Sequence, residues 1–335
     1  MEEELNLQPI LNTENEEHAG GYVEGIYERL KAEIGKAIVG QETMVQQIII
    51  GFLARGHILL EGVPGTAKTL LVRSLSRSLN LTFTRIQFTP DLMPSDIIGT
   101  RVFDPKTVEF VVRRGPLFAN FILADEINRT PAKTQAALLE AMEEGNVTID
   151  GEPHSLPVPF FVAATQNPIE FEGTYPLPEA QLDRFMMKVL VDYPSSEDET
   201  CLLSRYQSGF RSQNLETAGL ASVLSPEELQ QCFDEVDRVR VELPIIQYIA
   251  RIVRETRTHR QITLGASPRA GVALLLTAKA MAAIQGRDFV TPDEVKSLVH
   301  AVLRHRIILR PESEIEGQTP DRIIQAILDS VEVPR

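Results

Sequence analysis

The segment Gly62-Val63-Pro64-Gly65-Thr66-Ala67-Lys68-Thr69 constrains this chain more than any other. It follows a short apolar run, His57–Leu60, and opens a helical pattern over Lys68–Leu79. That strand–loop–helix setting is what a phosphate-binding loop requires. Backbone N–H groups of such a loop wrap phosphate oxygens, and the helix N-terminus adds partial positive charge. Lys68 is then the residue that reaches the β- and γ-phosphates, the Thr69 hydroxyl ligates Mg²⁺, and Leu70 closes the nucleotide-binding stretch. The pattern asks for glycine where this chain has Ala67. A methyl group is tolerable there if the backbone already has right-handed helical angles. An ordinary Gly/Pro turn ahead of a helix would carry similar letters, so a second signal is needed.

Phe121-Ile122-Leu123-Ala124-Asp125-Glu126 supplies it, about sixty residues downstream. An apolar strand ending in two carboxylates lets Asp125 hold the Mg²⁺ hydration shell while Glu126 orients and polarises a water for in-line attack on the γ-phosphate. Alone, such a strand end is common; paired with the loop it is specific. A third apolar run, Phe160–Thr165, leads into Gln166-Asn167-Pro168. The Asn167 amide then stands at the carboxyl edge of a strand, where open α/β sheets bind ligands. An Asn-Pro turn would read the same.

The runs at 57–60, 83–88, 121–124, 160–165 and 188–191 are candidate strands, several apolar throughout as strands covered on both faces must be. Helical patterns lie between them, including Thr130–Glu144, with Thr130-Pro131 as cap and first turn, Ala136, Leu139 and Met142 on one face and Gly145 as stop. Past Pro194 the strand signal disappears. After a looser stretch, Ser208–Ser222, helix starts recur at Ser225-Pro226, Ser267-Pro268, Thr291-Pro292 and Thr319-Pro320. The expected fold is α/β: a flexible acidic tail over 1–20, a nucleotide domain with a parallel sheet between helices over 21–193, and a small all-helical domain over 194–335.

Lys and Arg number 33 against 47 Asp and Glu, a net charge of −14. So acidic a surface disfavours non-specific nucleic-acid binding. Two cysteines, Cys201 and Cys232, fit a reducing cytoplasm better than a disulfide framework. The longest apolar run, Ile48–Leu60, is interrupted by Arg55 and His57 and is too short for membrane insertion. The six histidines show no ligand spacing, and no Asn-Lys-x-Asp guanine signature occurs, which favours ATP.

These residues resemble the AAA+ ATPases, and more narrowly the MoxR family, over nearly the whole chain after the tail. The resemblance includes Ile38-Val39-Gly40-Gln41, the loop with its alanine, Asp125-Glu126-Ile127-Asn128-Arg129, Ala164-Thr165-Gln166-Asn167-Pro168, Ala180–Phe185 and Gly265–Arg269. It implies a helical lid after the nucleotide domain and a hexameric ring with ATP between subunits. It implies Val39 and Gly40 near the adenine, Asn167 as sensor 1, Arg184 as a finger offered to the neighbour's γ-phosphate, and Arg269 as sensor 2. Arg269 also sits in the first turn of a helix capped by Ser267-Pro268, where two positive ends repel unless an anion arrives. For Arg184 taken alone, an ion pair with Asp183 or Glu179 fits as well. Hairpins at Ile149–Glu152 and around Asp104-Pro105-Lys106 match loops that line the pore in this branch, although plain surface hairpins would look alike. The function so implied is ATP-driven remodelling of protein clients, with von Willebrand factor A domain proteins as associated partners. Alternatives are a DNA motor, a magnesium-chelatase-like motor subunit, or a low-turnover assembly switch.

Overall fold

A computed structural model describes residues 21–167, 174–212 and 218–334. The expected tail, Pro168 and part of the 208–222 stretch lie outside the described residues.

In chain order come α1 (Tyr22–Gly35), α2 (Glu42–Leu53), β1 (Ile58–Gly62), α3 (Lys68–Ser78), β2 (Phe83–Gln87), α4 (Pro94–Ile98), β3 (Gly99–Asp104), β4 (Glu109–Arg114) and β5 (Phe121–Asp125). A 3₁₀ turn, Ile127–Arg129, leads to α5 (Ala132–Glu144), β6 (Asn146–Ile149), β7 (Glu152–Ser155), β8 (Phe161–Gln166), α6 (Glu179–Leu182), β9 (Met187–Val191) and α7 (Ser196–Gln207). Strands β2-β5-β8-β1-β9 form one sheet, every neighbouring pair parallel. All five expected strands are present.

Alternation across this sheet sorts its side chains into two cores. Ile58, Leu60, Phe121, Leu123, Phe161 and Ala163 face α1, α2 and α3. Leu59, Ile122, Ala124, Val162 and Ala164 face Leu138, Leu139 and Met142 of α5. Each buried Leu or Phe contributes roughly 1.5–3 kcal/mol. Helix α5 departs from expectation in detail. It begins at Ala132 with Pro131 at the cap position, while Thr130 is buried and lends no capping bond. Ala136 points outward, and Leu138 takes the core place expected of it. At a period of 3.6 the two positions lie on opposite flanks of Leu139's stripe, and the sheet selects the larger side chain.

The two hairpins are real. Asp150 and Gly151, at φ 50° and 85°, make the turn between β6 and β7. Strands β3 and β4 pair from Gly99↔Arg114 to Asp104↔Glu109 and expose Phe103, Val108 and Phe110.

The C-terminal part comprises α8 (Pro226–Arg238), α9 (Leu243–Thr258), β10 (Ile262–Leu264), α10 (Pro268–Ile284), α11 (Pro292–Leu303), β11 (Ile308–Leu309), α12 (Pro311–Ile315) and α13 (Pro320–Ser330). Every expected Ser/Thr-Pro start caps its helix through a side-chain oxygen, at Ser225, Ser267, Thr291 and Thr319. The helices are joined by one antiparallel strand pair, β10–β11, too short to have carried a strand signal. Cys232, on α8, is fully buried.

These helices share the first core. Phe233 of α8 packs on Phe52 of α2 with ring centroids 5.6 Å apart, and Phe52 in turn meets Phe121 at 5.0 Å. A polar tie lies nearby. Arg306 is buried, its guanidinium donating to the Asp183 carboxylate at 2.7 Å and to the carbonyls of Phe185 and Met186 at 2.6 and 3.0 Å. Burial pulls its basicity down and the Asp183 carboxylate pushes it back up.

Candidate nucleotide site

β1 runs to Gly62, where a Cβ would stand 2.2 Å from the Val191 carbonyl, so only glycine allows β9 this close. The chain then turns through Gly65, at φ 84°, and Ala67, at φ 62° and ψ 15°. Ala67 is therefore left-handed, not right-handed as its methyl group would prefer, and its strain is held by the loop around it. It heads α3 without a side-chain cap, leaving the first N–H groups of the helix to a ligand.

Lys68, first residue of α3, donates from Nζ to the carbonyls of Gly62 and Val63 at 2.7 Å each. Burial lowers its pKa, against the opposing pull of Asp125 and Glu126. Thr66 ties the loop by donating to the Val63 carbonyl at 3.0 Å.

β5 sets Asp125 beside the loop. Its Oδ1 accepts from Thr165 Oγ1 at 2.6 Å, and its Oδ2 binds Arg85 at 2.6 Å. The next residue, Glu126, takes φ 58° and donates its own N–H to the Thr165 hydroxyl at 2.8 Å. Glu126 Oε2 accepts from Gln87 at 2.8 Å and from Arg129 at 3.2 Å. β8 brings buried Asn167 to the same place.

These residues line one cleft of about 430 Å³: Gly62, Pro64, Gly65, Thr66, Ala67, Lys68, Thr69 and Leu70 from the loop, Asp125, Glu126 and Asn167 from the strand ends. Val63 contributes its carbonyl to Lys68 but no wall. Val39 and Gly40, expected at the adenine, do not line the cleft. Gly40 instead abuts Asp198 at the start of α7, with a Cβ there only 2.4 Å from its carboxylate. The cleft is completed by residues the sequence did not single out: Arg85, Thr165, Leu202, Tyr206 and Ser212. Leu202 and Tyr206 come from α7, beyond the expected boundary at 193, so that division does not coincide with the walls of the cleft. A hydroxyl and a carboxylate, Thr69 and Asp125, are hard oxygen donors suited to Mg²⁺, and a lysine beside an uncapped helix end suits phosphate. The residues fit a magnesium nucleotide.

Arg184 and Arg269 lie elsewhere. Arg184 pairs with Glu143, not with Asp183 or Glu179, at 3.0 Å, and Arg269 meets the same carboxylate at 2.6 Å. They hold the Glu143 carboxyl below its usual range, Arg269 more strongly. The anion beside the Arg269 guanidinium is, in this chain, Glu143, while the helix N-terminus itself is capped by Ser267. Both arginines line a second cavity of about 220 Å³ and neither borders the loop cleft. No spacing along the sequence links Glu143 to either arginine.

The sequence model of the ATPase family associated with various cellular activities (AAA) matches residues 57–187, and that of the AAA lid domain matches 254–327. The Bacillus subtilis protein YeaC is 48% identical over 90% of this chain and 92% of its own. Chaperone MoxR1 of Mycobacterium tuberculosis is 43% identical over 92% of this chain and 82% of its own. The crystal structure of a Cytophaga hutchinsonii protein superposes with a TM-score of 0.87 at 43% identity, covering 95% of this chain and 97% of that one. Likeness of this extent to proteins called MoxR, together with the phosphate loop and lid, means that the chain belongs to the MoxR family of AAA+ ATPases.

Proposed function

We propose that this protein hydrolyses ATP in a ring of identical subunits, a hexamer on the family pattern, and uses the cycle to remodel or assemble protein clients. One observation carries the reading: the groups that receive phosphate and those suited to stabilising its transferred charge stand on separate faces. Lys68, Asp125 and Glu126 line the cleft, whereas Arg184 and Arg269 do not. A second copy is what would bring them together.

The loop N–H groups and Lys68 bind the β- and γ-phosphates, while Val39 and Gly40, which do not line the cleft in this structure, are assigned to the base by the family resemblance alone. Thr69 and Asp125 would hold Mg²⁺, which offsets phosphate charge when bound. Glu126 orients the attacking water and takes its proton, with Asn167 positioning the water from the next strand. Arg184 and Arg269 of one subunit face the γ-phosphate held by its neighbour.

The working division is a nucleotide domain over 21–193 and a lid over 194–335. A cytoplasmic location agrees with a chain whose described helices include none long and apolar enough to cross a membrane. The acidic balance supports protein rather than nucleic-acid clients. The partner proposed is a metal-binding von Willebrand factor A domain, met by a carboxylate on a projecting hairpin such as Asp150 or Asp104. Pull-downs with an ATP-locked ring should recover it, and a chelator should weaken the complex. Recovery of nucleic acid alone would reject the protein client.

The direct test of the site is phosphate release. Glu126→Gln should bind ATP and barely turn it over, and Lys68→Ala should lose binding. Wild-type turnover by Glu126→Gln in Mg²⁺ would show that the carboxylate does not activate the water.

A further inference from the structure

The metal position already has a cation beside it. Arg85 lies on β2, the edge strand next to β5, and reaches Asp125 Oδ2 through Nε at 3.0 Å and through a terminal nitrogen at 2.6 Å. The same nitrogen donates to Gln87 Oε1 at 2.7 Å, and the Gln87 amide donates to Glu126 Oε2. Gln87 stands in register with Asp125, and Arg85 is two residues behind it on the same face of the strand. Both oxygens of Asp125 are thus engaged, Oδ1 by Thr165 and Oδ2 by Arg85.

A divalent ion drawn to Asp125 meets this guanidinium, and two cations in contact with one carboxylate oxygen repel each other. Lys68 adds to the positive field at Asp125 but directs its hydrogen bonds to the loop carbonyls, so Arg85 is the cation in direct contact with the carboxylate. The exposures favour Arg85 as the partner that leaves: its side chain is 49% exposed and that of Asp125 is 15%.

We propose that Arg85 is a tethered counter-ion for the metal position. It neutralises Asp125 while no Mg²⁺ is held, competes with Mg²⁺ for Oδ2, and so sets how strongly nucleotide binding depends on Mg²⁺. Arg85 is a positioning residue in this role, acting through Asp125. The proposal rests on the reading of Asp125 as the metal-holding carboxylate.

The test is a ratio: the affinity for a fluorescent, non-hydrolysable ATP analogue with Mg²⁺, divided by that with chelator. Arg85→Gln removes the competitor and leaves Asp125 repelling bare phosphates, so the ratio should rise about three- to tenfold, the scale of one released pair at a half-exposed site. Arg85→Lys, which keeps the charge, should return the ratio toward wild type. Both affinities come from one preparation, so a partly unfolded fraction does not alter the ratio. An unchanged or smaller ratio in Arg85→Gln, with Asp125→Asn collapsing it, overturns the proposal and leaves the ATP site standing. A wild-type ratio in Asp125→Asn removes the metal role of Asp125 and the proposal with it.

Discussion

Arg184 and Arg269 meet on opposite oxygens of one carboxylate, that of Glu143, although neither borders the cleft that holds Lys68. Held this way they form a paired cationic edge. An exposed ion pair is worth less than about 1 kcal/mol, whereas an arginine finger contributes roughly 10³–10⁵ in rate. Arg184→Ala should therefore fold and bind nucleotide yet lose nearly all turnover. Mixing it with Lys68→Ala should restore activity where a subunit with an intact loop meets one with an intact arginine. No rescue at any ratio, in rings proven to exchange subunits, would contradict action across a boundary.

The Arg306–Asp183 tie should be the costliest ion pair to break. Removing one partner of a buried pair costs roughly 3–5 kcal/mol, because the other charge is left without its counter-charge. Arg306→Ala should lose stability on that scale. Arg240→Ala, which breaks an exposed pair with Asp288, should lose less than about 1 kcal/mol. Urea unfolding of the two variants, side by side, is the measurement.

His57 gives acid sensitivity to the strand that carries Thr165. Its Nε2 bonds the Met142 carbonyl at 3.0 Å, and its Nδ1 accepts from the Val162 N–H at 3.1 Å, so the ring is held neutral. Burial pushes its pKa down to about 4, which the bond to Met142 only partly opposes. The unfolded chain binds the proton first, near the ordinary histidine value. Stability is therefore complete above about pH 6.5 and falls as pH drops toward 4, by up to about 3 kcal/mol. His57→Asn, whose carbonyl can still accept from Val162, should flatten that part of the profile. A profile as steep as wild type would acquit His57.

The two thiols should separate cleanly. Cys232 is buried, and desolvation, then Glu235 and Glu228, push its pKa up to about 12, while Cys201 is exposed on α7. Mild alkylation of the folded protein should label Cys201 alone, with Cys232 reacting only after denaturation. Mass spectrometry of the peptides reads this directly.

What the sequence disclosed was local. β1, β5 and β8 lie inside the sheet with both faces covered, so apolar runs marked them. The Ser/Thr-Pro starts and the phosphate loop are written in consecutive letters. What it concealed depends on the order of strands. Arg85 and Gln87 look like the polar half of an ordinary edge strand, and only the β2–β5 pairing brings them to residues about forty positions away. Glu143 sits in the last turn of α5 with nothing to mark it, and Arg306 reads as one more surface arginine. Ala67 suggests the commoner right-handed angles, because no letter beside it reveals the left-handed turn.

That turn is not solitary. Gln41, Ala67 and Glu126, at φ 59°, 62° and 58°, all bear side chains where the backbone favours glycine. They stand at the head of α2, in the Gly62–Thr69 loop and at the carboxylate proposed to act on water. Heat-tolerance screening blind to turnover would therefore drift toward glycine or rebuilt turns at these places, each relieving about 1–2 kcal/mol. At Glu126 the relief would come with the carboxylate's removal. Arg55, Asn80, Val108 and Asp150 share this left-handed region without lining the cleft, so robustness and the proposed catalysis compete at Ala67 and Glu126 alone among these side chains.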